Sequence, residues 1–112
     1  MGIHYLDRTA SNKQLADMLR TLGDYVKVAV DIDRRCLAGG GAMHADCQRV
    51  LLDNGCQNEN VWGADWIPDQ NALRFASLIN VRPAQGNRST EIQNPHTRAA
   101  IESVVKELLA SG

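Results

Sequence analysis

The sequence has no long apolar run and no excess of charge of one sign, and each absence excludes a class of protein. No stretch approaches the roughly 18 apolar residues that a membrane-spanning helix needs, so no membrane partner is expected. Twelve Lys and Arg against thirteen Asp and Glu give a formal net charge of -1. Such a balance creates no long-range field that would attract nucleic acid. The composition therefore argues against nucleic acid as a partner.

Closely spaced cysteines are also lacking. Cys36, Cys47 and Cys56 are an odd number, and no two of them have the two-residue spacing of zinc ribbons and redox motifs. The pattern favours reduced thiols that pack as small apolar side chains, with no cofactor and no metal. A nucleophilic or metal-binding role for one of them stays an alternative. The first residues lack the basic lead and the apolar stretch of a signal peptide, so a cytoplasmic location is expected.

Hydrophobic periodicity and capping signals predict three helices within one domain that spans residues 1–112. Ser11-Asn-Lys-Gln14 has the form of a capping box, which predicts a first helix over about 12–22. The second helix follows a glycine-rich segment and ends at Asn54-Gly55. Asn94-Pro95 supplies a cap and a first-turn proline for the third.

Alternation of apolar and polar residues predicts four strands in two hairpins. The strands are 25–33, 36–40, 61–67 and 73–81. A turn at Arg34-Arg35 would place Ile32 opposite Leu37 in the first hairpin, although Arg-Arg is poor chemistry for a two-residue turn and a longer loop is an alternative. Residues 3–6 are too few to decide whether they form a further edge strand.

The order αββαββα predicts an α+β fold in two layers. A four-stranded antiparallel or mixed sheet, built from two β-hairpins, would carry three helices on one face. A right-handed crossover through the second helix would make the two central strands parallel. The other face would show Ala29, Ala38, Ala76 and Leu78 among charged residues. A half-apolar face is usually covered, so a homodimer through this face is expected.

His44 and Asp46 stand two residues apart at the start of the predicted second helix. They are candidate catalytic residues, because an imidazole beside a carboxylate can act as a general acid or base. Two other interpretations stay open. One of the two residues caps the helix, or both ligate a metal ion together with Asp31 or Asp33.

The segment Arg82–Glu91, between the last predicted strand and the third helix, is the richest in polar recognition groups. Arg82 and Arg88 could hold an anion, while the amides of Gln85 and Asn87 could orient it. The connection is longer than most loops in compact domains, and long loops are usually functional or disordered. A merely solvated loop is the alternative.

Several short motifs carry a resemblance to a known family. They are Val30-Asp-Ile32, Gly40-Gly41 with His44-Ala-Asp46, Trp62-Gly63, Ser77-Leu-Ile-Asn-Val-Arg-Pro83 and Gly86-Asn-Arg-Ser89. In this order they resemble, nearly end to end, a family of small prokaryotic proteins classed as a domain of unknown function. The resemblance implies a soluble single-domain protein from bacteria or archaea. It also implies that the positions of His44, Asp46, Arg82, Asn87 and Arg88 recur as polar residues in the family.

The sequence thus predicts a domain that binds a small anionic or polar ligand. The cleft would lie between the His44–Asp46 turn and the Arg82–Glu91 loop, because both follow strands and would meet at one end of a sheet with parallel central strands. Hydrolysis of the ligand is an open extension, so whether the chain is an enzyme stays undecided. A non-enzymatic, dimeric protein-interaction module is the alternative.

Overall fold

The computed structural model describes residues 2–110 and centres on a five-stranded sheet with the strand order β1-β3-β2-β4-β5. The strands are β1 (His4–Leu6), β2 (Val26–Asp31), β3 (Cys36–Gly39), β4 (Val61–Ile67) and β5 (Ala72–Arg74). The helices are α1 (Asn12–Leu19), α2 (His44–Asp53) and α3 (Pro95–Val105), and a wider helical turn over Lys106–Ala110 continues α3. The predicted α+β class is confirmed. The sheet has five strands, not the predicted four, because β1 pairs with β3 at one edge.

Local capping signals set the helix starts. The Ser11 hydroxyl accepts from the Gln14 N–H at 3.1 Å, and the Gln14 side chain accepts from the Ser11 N–H at 2.9 Å. The Asn94 side chain caps α3, with Pro95 in its first turn. Both caps were predicted. Among residues 2–110, none of the helices has the length and apolar character that a membrane span requires.

The first hairpin has a longer loop than the predicted two-residue turn. Leu37 pairs with Val30, not with Ile32, so the predicted register is wrong. The side chain of Asp31 closes the loop by accepting hydrogen bonds from the backbone N–H groups two and three residues later, each at 2.9 Å. Asp residues commonly stabilise turns in this way, and here the side chain replaces the unfavourable Arg-Arg turn.

Every strand pair is antiparallel, including the central pair of β2 and β4. A mixed sheet with parallel central strands is therefore excluded. It follows that β3 and β4 run in one direction and β5 in the other. The chain leaves β3 towards α2 near the row of Lys27 and Asp65. The last residue of β5, Arg74, lies in the same row, but β5 runs the other way, so the segment after it heads towards the opposite end of the sheet. This difference decides which polar residues can meet.

Helices cover both faces of the sheet. Val26, Val28 and Val30 of β2 point into the larger core with α1 and α3, whereas Ala29 points into a second core with α2. The prediction that all three helices share one face is wrong. The second face explains the result, because the small side chains of Ala29 in β2 and Ala38 in β3 pack against Cys47 and Leu51 of α2.

The face that was expected to form a homodimer is thus occupied within the chain. Ala29 and Ala38 are fully buried, and they pack with Cys47 and Leu51 of α2. Leu78 is the exception, with 79% of its surface exposed. A homodimer stays a prediction, but the surface that suggested it is no longer available.

The chain leaves the sheet after Arg74, earlier than predicted, and Leu78–Asn80 form a tight helical turn instead of a strand. This turn lies against Gly63 of β4. A Cβ atom at Gly63 would lie only 2.7 Å from the Ser77 Cβ, so a side chain at that position would prevent the close approach. The segment after β5 therefore folds over the same sheet face that α2 covers.

Candidate functional site

The first turn of α2 directs the imidazole of His44 towards β4. His44 Nε2 lies 2.9 Å from Asp65 Oδ1 and 3.0 Å from the carbonyl oxygen of Ala64. A carboxylate and a carbonyl can only accept, so Nε2 carries the proton and donates to them. In the neutral form of the ring, the other nitrogen, Nδ1, is a proton acceptor. The expectation that His44 or Asp46 caps α2 is wrong, since no side chain caps this helix.

Asp65 is the centre of a row of charged side chains across three strands. In the sheet register it pairs with Lys27 of β2 and with Arg74 of β5. Directly opposed residues share a face, so all three side chains lie on the α2 side of the sheet. Arg74 Nε lies 3.4 Å from Asp65 Oδ2, and its guanidinium lies 4.8 Å above the ring of Tyr25. Among residues 2–110, the Lys27 ammonium has neither a hydrogen bond nor an ion pair.

These residues line a pocket of about 580 Å³ between the start of α2 and the segment after β5. This volume is in the range of sites that hold small molecules. The side chains of His44 and Asp65 are only 10% and 12% exposed. At the rim, Met43 and Leu78 are large apolar residues exposed to solvent. The pocket thus combines a charged, half-buried interior with an apolar rim.

Arg82 does not reach this pocket, because it lies at the opposite end of the sheet, beside the first residue of β4. Its guanidinium donates hydrogen bonds to the carbonyl oxygens of Asn58 at 2.7 Å, Ile79 at 3.0 Å and Val61. It also lies 4.6 Å above the ring of Trp62. Burial lowers the pKa of Arg82. Its donors join separate backbone segments, so Arg82 acts as a structural cross-link.

The other three predicted ligand-binding residues also lie outside the pocket. Gln85 accepts a hydrogen bond from Arg82 at 3.4 Å and donates one to the Glu59 carbonyl at 2.9 Å. The Asn87 side chain donates to three backbone carbonyls and accepts from one backbone N–H, which fixes the path of the loop. Arg88 is exposed and, within the described part of the chain, has no hydrogen-bond or ion-pair partner.

The single cleft predicted from the sequence therefore needs correction. His44 and Arg82 lie at opposite ends of the sheet because β5 runs antiparallel to β3, and Asp46 is exposed outside the pocket. Of the predicted loop, Thr90 alone lines the pocket beside His44. Asp65 takes the position beside the imidazole that was expected for Asp46. A carboxylate within the otherwise apolar β4 was the sequence signal that could have found it.

A family model described as a protein of unknown function, DUF5674, matches residues 4–108. The chain belongs to this family. The resemblance inferred from the sequence motifs is thereby confirmed. The comparisons with curated proteins and with solved structures find no match.

The three thiols of this DUF5674 chain have different surroundings. Cys47 is packed in the second core, and burial raises the pKa of its thiol to about 11. Cys36 and Cys56 are neighbours, although their spacing in the sequence suggested no pair. Together with Asp31 they form the one group of His, Cys, Asp and Glu side chains within residues 2–110 that is close enough to hold a metal ion. The alternative metal site of His44 and Asp46 with Asp31 or Asp33 is not formed within this part of the chain.

Proposed function

We propose that this DUF5674 protein binds a small anionic ligand in the pocket beside His44 and Asp65. The observation that carries the proposal is the row of Lys27, Asp65 and Arg74, which places two cations beside one carboxylate. Asp65 already has His44 and Arg74 as partners. The ammonium of Lys27 has no acidic partner within residues 2–110, so it is available to an anion.

The rim of the pocket indicates what the rest of the ligand is like. Met43 and Leu78 are 57% and 79% exposed, and both line the pocket. Apolar surface of this kind is stabilised when a ligand covers it. A carboxylate or phosphate attached to a short apolar body would place its charge near Lys27 and its body against Met43 and Leu78.

The pair of His44 and Asp65 adds a capacity for proton transfer. Because Nε2 is held by Asp65, Nδ1 is the nitrogen that could take a proton from a bound molecule or water, and the carboxylate would stabilise the resulting imidazolium. This arrangement supports hydrolysis as an extension of binding. In that case His44→Gln should abolish turnover while it leaves ligand affinity within a few fold.

A nuclear magnetic resonance titration tests the binding proposal. Inorganic phosphate and a short-chain carboxylate, such as hexanoate, are added separately to isotope-labelled protein. Saturable shifts should be centred on His44, Ala45 and Asp65, with smaller effects around Arg82 and Asn87. Shifts centred on Arg82 and Arg88 would instead support ligand binding by the Arg82–Glu91 loop, as predicted from the sequence. An absence of saturable shifts with both ligands would contradict the proposal.

The exposure of Met43 and Leu78 also favours a second candidate, a non-enzymatic interaction module. In that case another protein, such as a second copy of the chain, would cover the rim of the pocket. Light scattering at micromolar concentration distinguishes the two. A dimer that Leu78→Ser converts to a monomer would support the module, whereas a monomer throughout would leave ligand binding as the function.

A further inference from the structure

Three donor side chains converge where β2 ends, β3 begins and the chain leaves α2. Asp31 and Cys36 are paired across the two strands, and each is 1% exposed. Cys56 is 6% exposed, and its Sγ lies 3.7 Å from the Sγ of Cys36. One donor atom from each of the three residues lies within 4.8 Å of the others. Asp31 is four residues beyond Lys27 on β2, which separates this cluster from the pocket by about 13 Å.

The carboxylate of Asp31 has an unpaired oxygen in this cluster. Its Oδ1 accepts from the N–H groups of Asp33 and Arg34, and this fixes the orientation of the group. Its Oδ2 is buried and makes no hydrogen bond of normal geometry, and the neighbouring Cys56 thiol is only a weak donor to the carboxylate. An unpaired buried acceptor destabilises the fold, and more strongly if it is charged. A bound cation would supply the missing partner.

The position of Cys56 is set by the backbone at the end of α2. Gly55 adopts a left-handed conformation with φ 88°. The Gly55 N–H then donates to Leu52, and the Cys56 N–H to Leu51, each at 3.0 Å. This pair of hydrogen bonds is the Schellman motif that commonly ends a helix. The Cys56 thiol is therefore held against β2 and β3 by local structure, without any ion.

We infer that Asp31, Cys36 and Cys56 form a binding site for a tetrahedral divalent transition-metal ion of the Zn²⁺ class. Two thiolates, each about 2.3 Å from one tetrahedral ion, lie about 3.8 Å apart. The two sulfur atoms are 3.7 Å apart. A disulfide would require about 2.05 Å, so the sulfur atoms would have to move closer to form one.

The chemistry of the donors agrees with this class of ion. Two thiolates and one carboxylate suit Zn²⁺, whereas Mg²⁺ and Ca²⁺ prefer oxygen donors throughout. Three protein ligands leave a fourth position for water or another small ligand. Binding would release the protons of both thiols to solvent and would stabilise the folded chain.

A cobalt titration of reduced, chelator-treated protein tests the site. One equivalent of Co²⁺ should give a thiolate-to-metal charge-transfer band and the intense visible bands of tetrahedral cobalt, and Zn²⁺ should displace it. Cys56→Ser and Asp31→Asn should each weaken Zn²⁺ binding by at least about 100-fold, because changes outside the ligand sphere already cost about 10- to 100-fold. Cys47→Ser removes the third buried thiol, which lies outside the cluster, and should bind Zn²⁺ like the wild type.

Thermal unfolding of the same proteins separates loss of metal binding from loss of folding. Zn²⁺ should raise the Tm of the wild type and of Cys47→Ser, but not that of Asp31→Asn, whose amide oxygen still closes the loop. If Cys56→Ser does not fold, the comparison of Zn²⁺ binding between the wild type and Asp31→Asn tests the site. Absence of the charge-transfer band, or equal Zn²⁺ binding by Asp31→Asn, would overturn the inference. Formation of a Cys36–Cys56 disulfide in the presence of stoichiometric Zn²⁺ would also overturn it, in favour of a redox pair.

Discussion

The side-chain amide of Asn80 makes the two hydrogen bonds to Gly63 that a neighbouring strand would make. Asn80 Oδ1 accepts from the Gly63 N–H at 2.8 Å, and its Nδ2 donates to the Gly63 carbonyl at 2.9 Å. These bonds replace the strand pairing that ends when the chain leaves β5. They also hold in place the segment that lines the pocket opposite His44.

Asn80→Ala should therefore lower the free energy of unfolding by about 2–4 kcal/mol. The buried N–H and carbonyl of Gly63 would both lose their partner, and each unpaired group costs about 1–3 kcal/mol. Urea unfolding measures the change. Gln70→Ala, at an exposed position in a turn, serves as the control and should stay within about 0.5 kcal/mol of the wild type. Equal stability of the two variants would contradict the role of Asn80.

Arg82→Lys should destabilise the fold by about 2–4 kcal/mol, while Arg88→Lys should have no measurable effect. Lysine keeps the charge at position 82, but a single ammonium cannot reach the separate carbonyl groups that the forked guanidinium joins. Arg88 is exposed and has no partner among the described residues, so the same replacement there is a matched control. Chemical denaturation of both variants makes the comparison. Similar losses for both would argue against a structural role specific to Arg82.

Asp17→Asn should reduce the pH dependence of stability in acid. The hydrogen bond from His4 at 2.7 Å lowers the pKa of Asp17 below its ordinary value of 3.8. A carboxylate with a lowered pKa stabilises the folded state fully above the unfolded pKa, and this contribution is lost as the pH falls through the lower folded value. The difference between wild type and Asp17→Asn should thus be largest above pH 3.8 and shrink below it. A difference between the two proteins that stays constant from neutral to acid pH would refute the assignment.

Local signals in the sequence were sufficient for the helices, because a cap acts within a few residues of its own position. Ser11 and Asn94 start their helices as predicted, and α2 ends at the predicted Asn-Gly pair. The α+β class follows from these elements. Register was less predictable, since the Asp31 side chain reshapes the loop that sets the pairing of Leu37.

The site depended on long-range geometry that periodicity does not encode. His44 was identified from the sequence, but its partner is Asp65, which is brought to it only by the placement of α2 on the second face of the sheet. Arg82 looked available because a guanidinium in a loop commonly binds anions. Nothing local showed that three backbone carbonyls would occupy it. The directions of the strands, and not the residue types, determine that His44 and Arg82 lie at opposite ends of the sheet.

Anion binding beside His44 is the central claim, and the affinity of Lys27→Gln compared with that of Arg88→Gln tests it most directly. Both changes remove one positive charge, but only Lys27 lines the pocket. Isothermal titration with phosphate, or with hexanoate if it binds more tightly, measures the dissociation constants. Lys27→Gln should weaken binding about tenfold, since a hydrogen bond to a charged group contributes about 1.5 kcal/mol, while Arg88→Gln should bind like the wild type. Equal weakening by both variants, or a wild type that binds neither anion, would contradict the account.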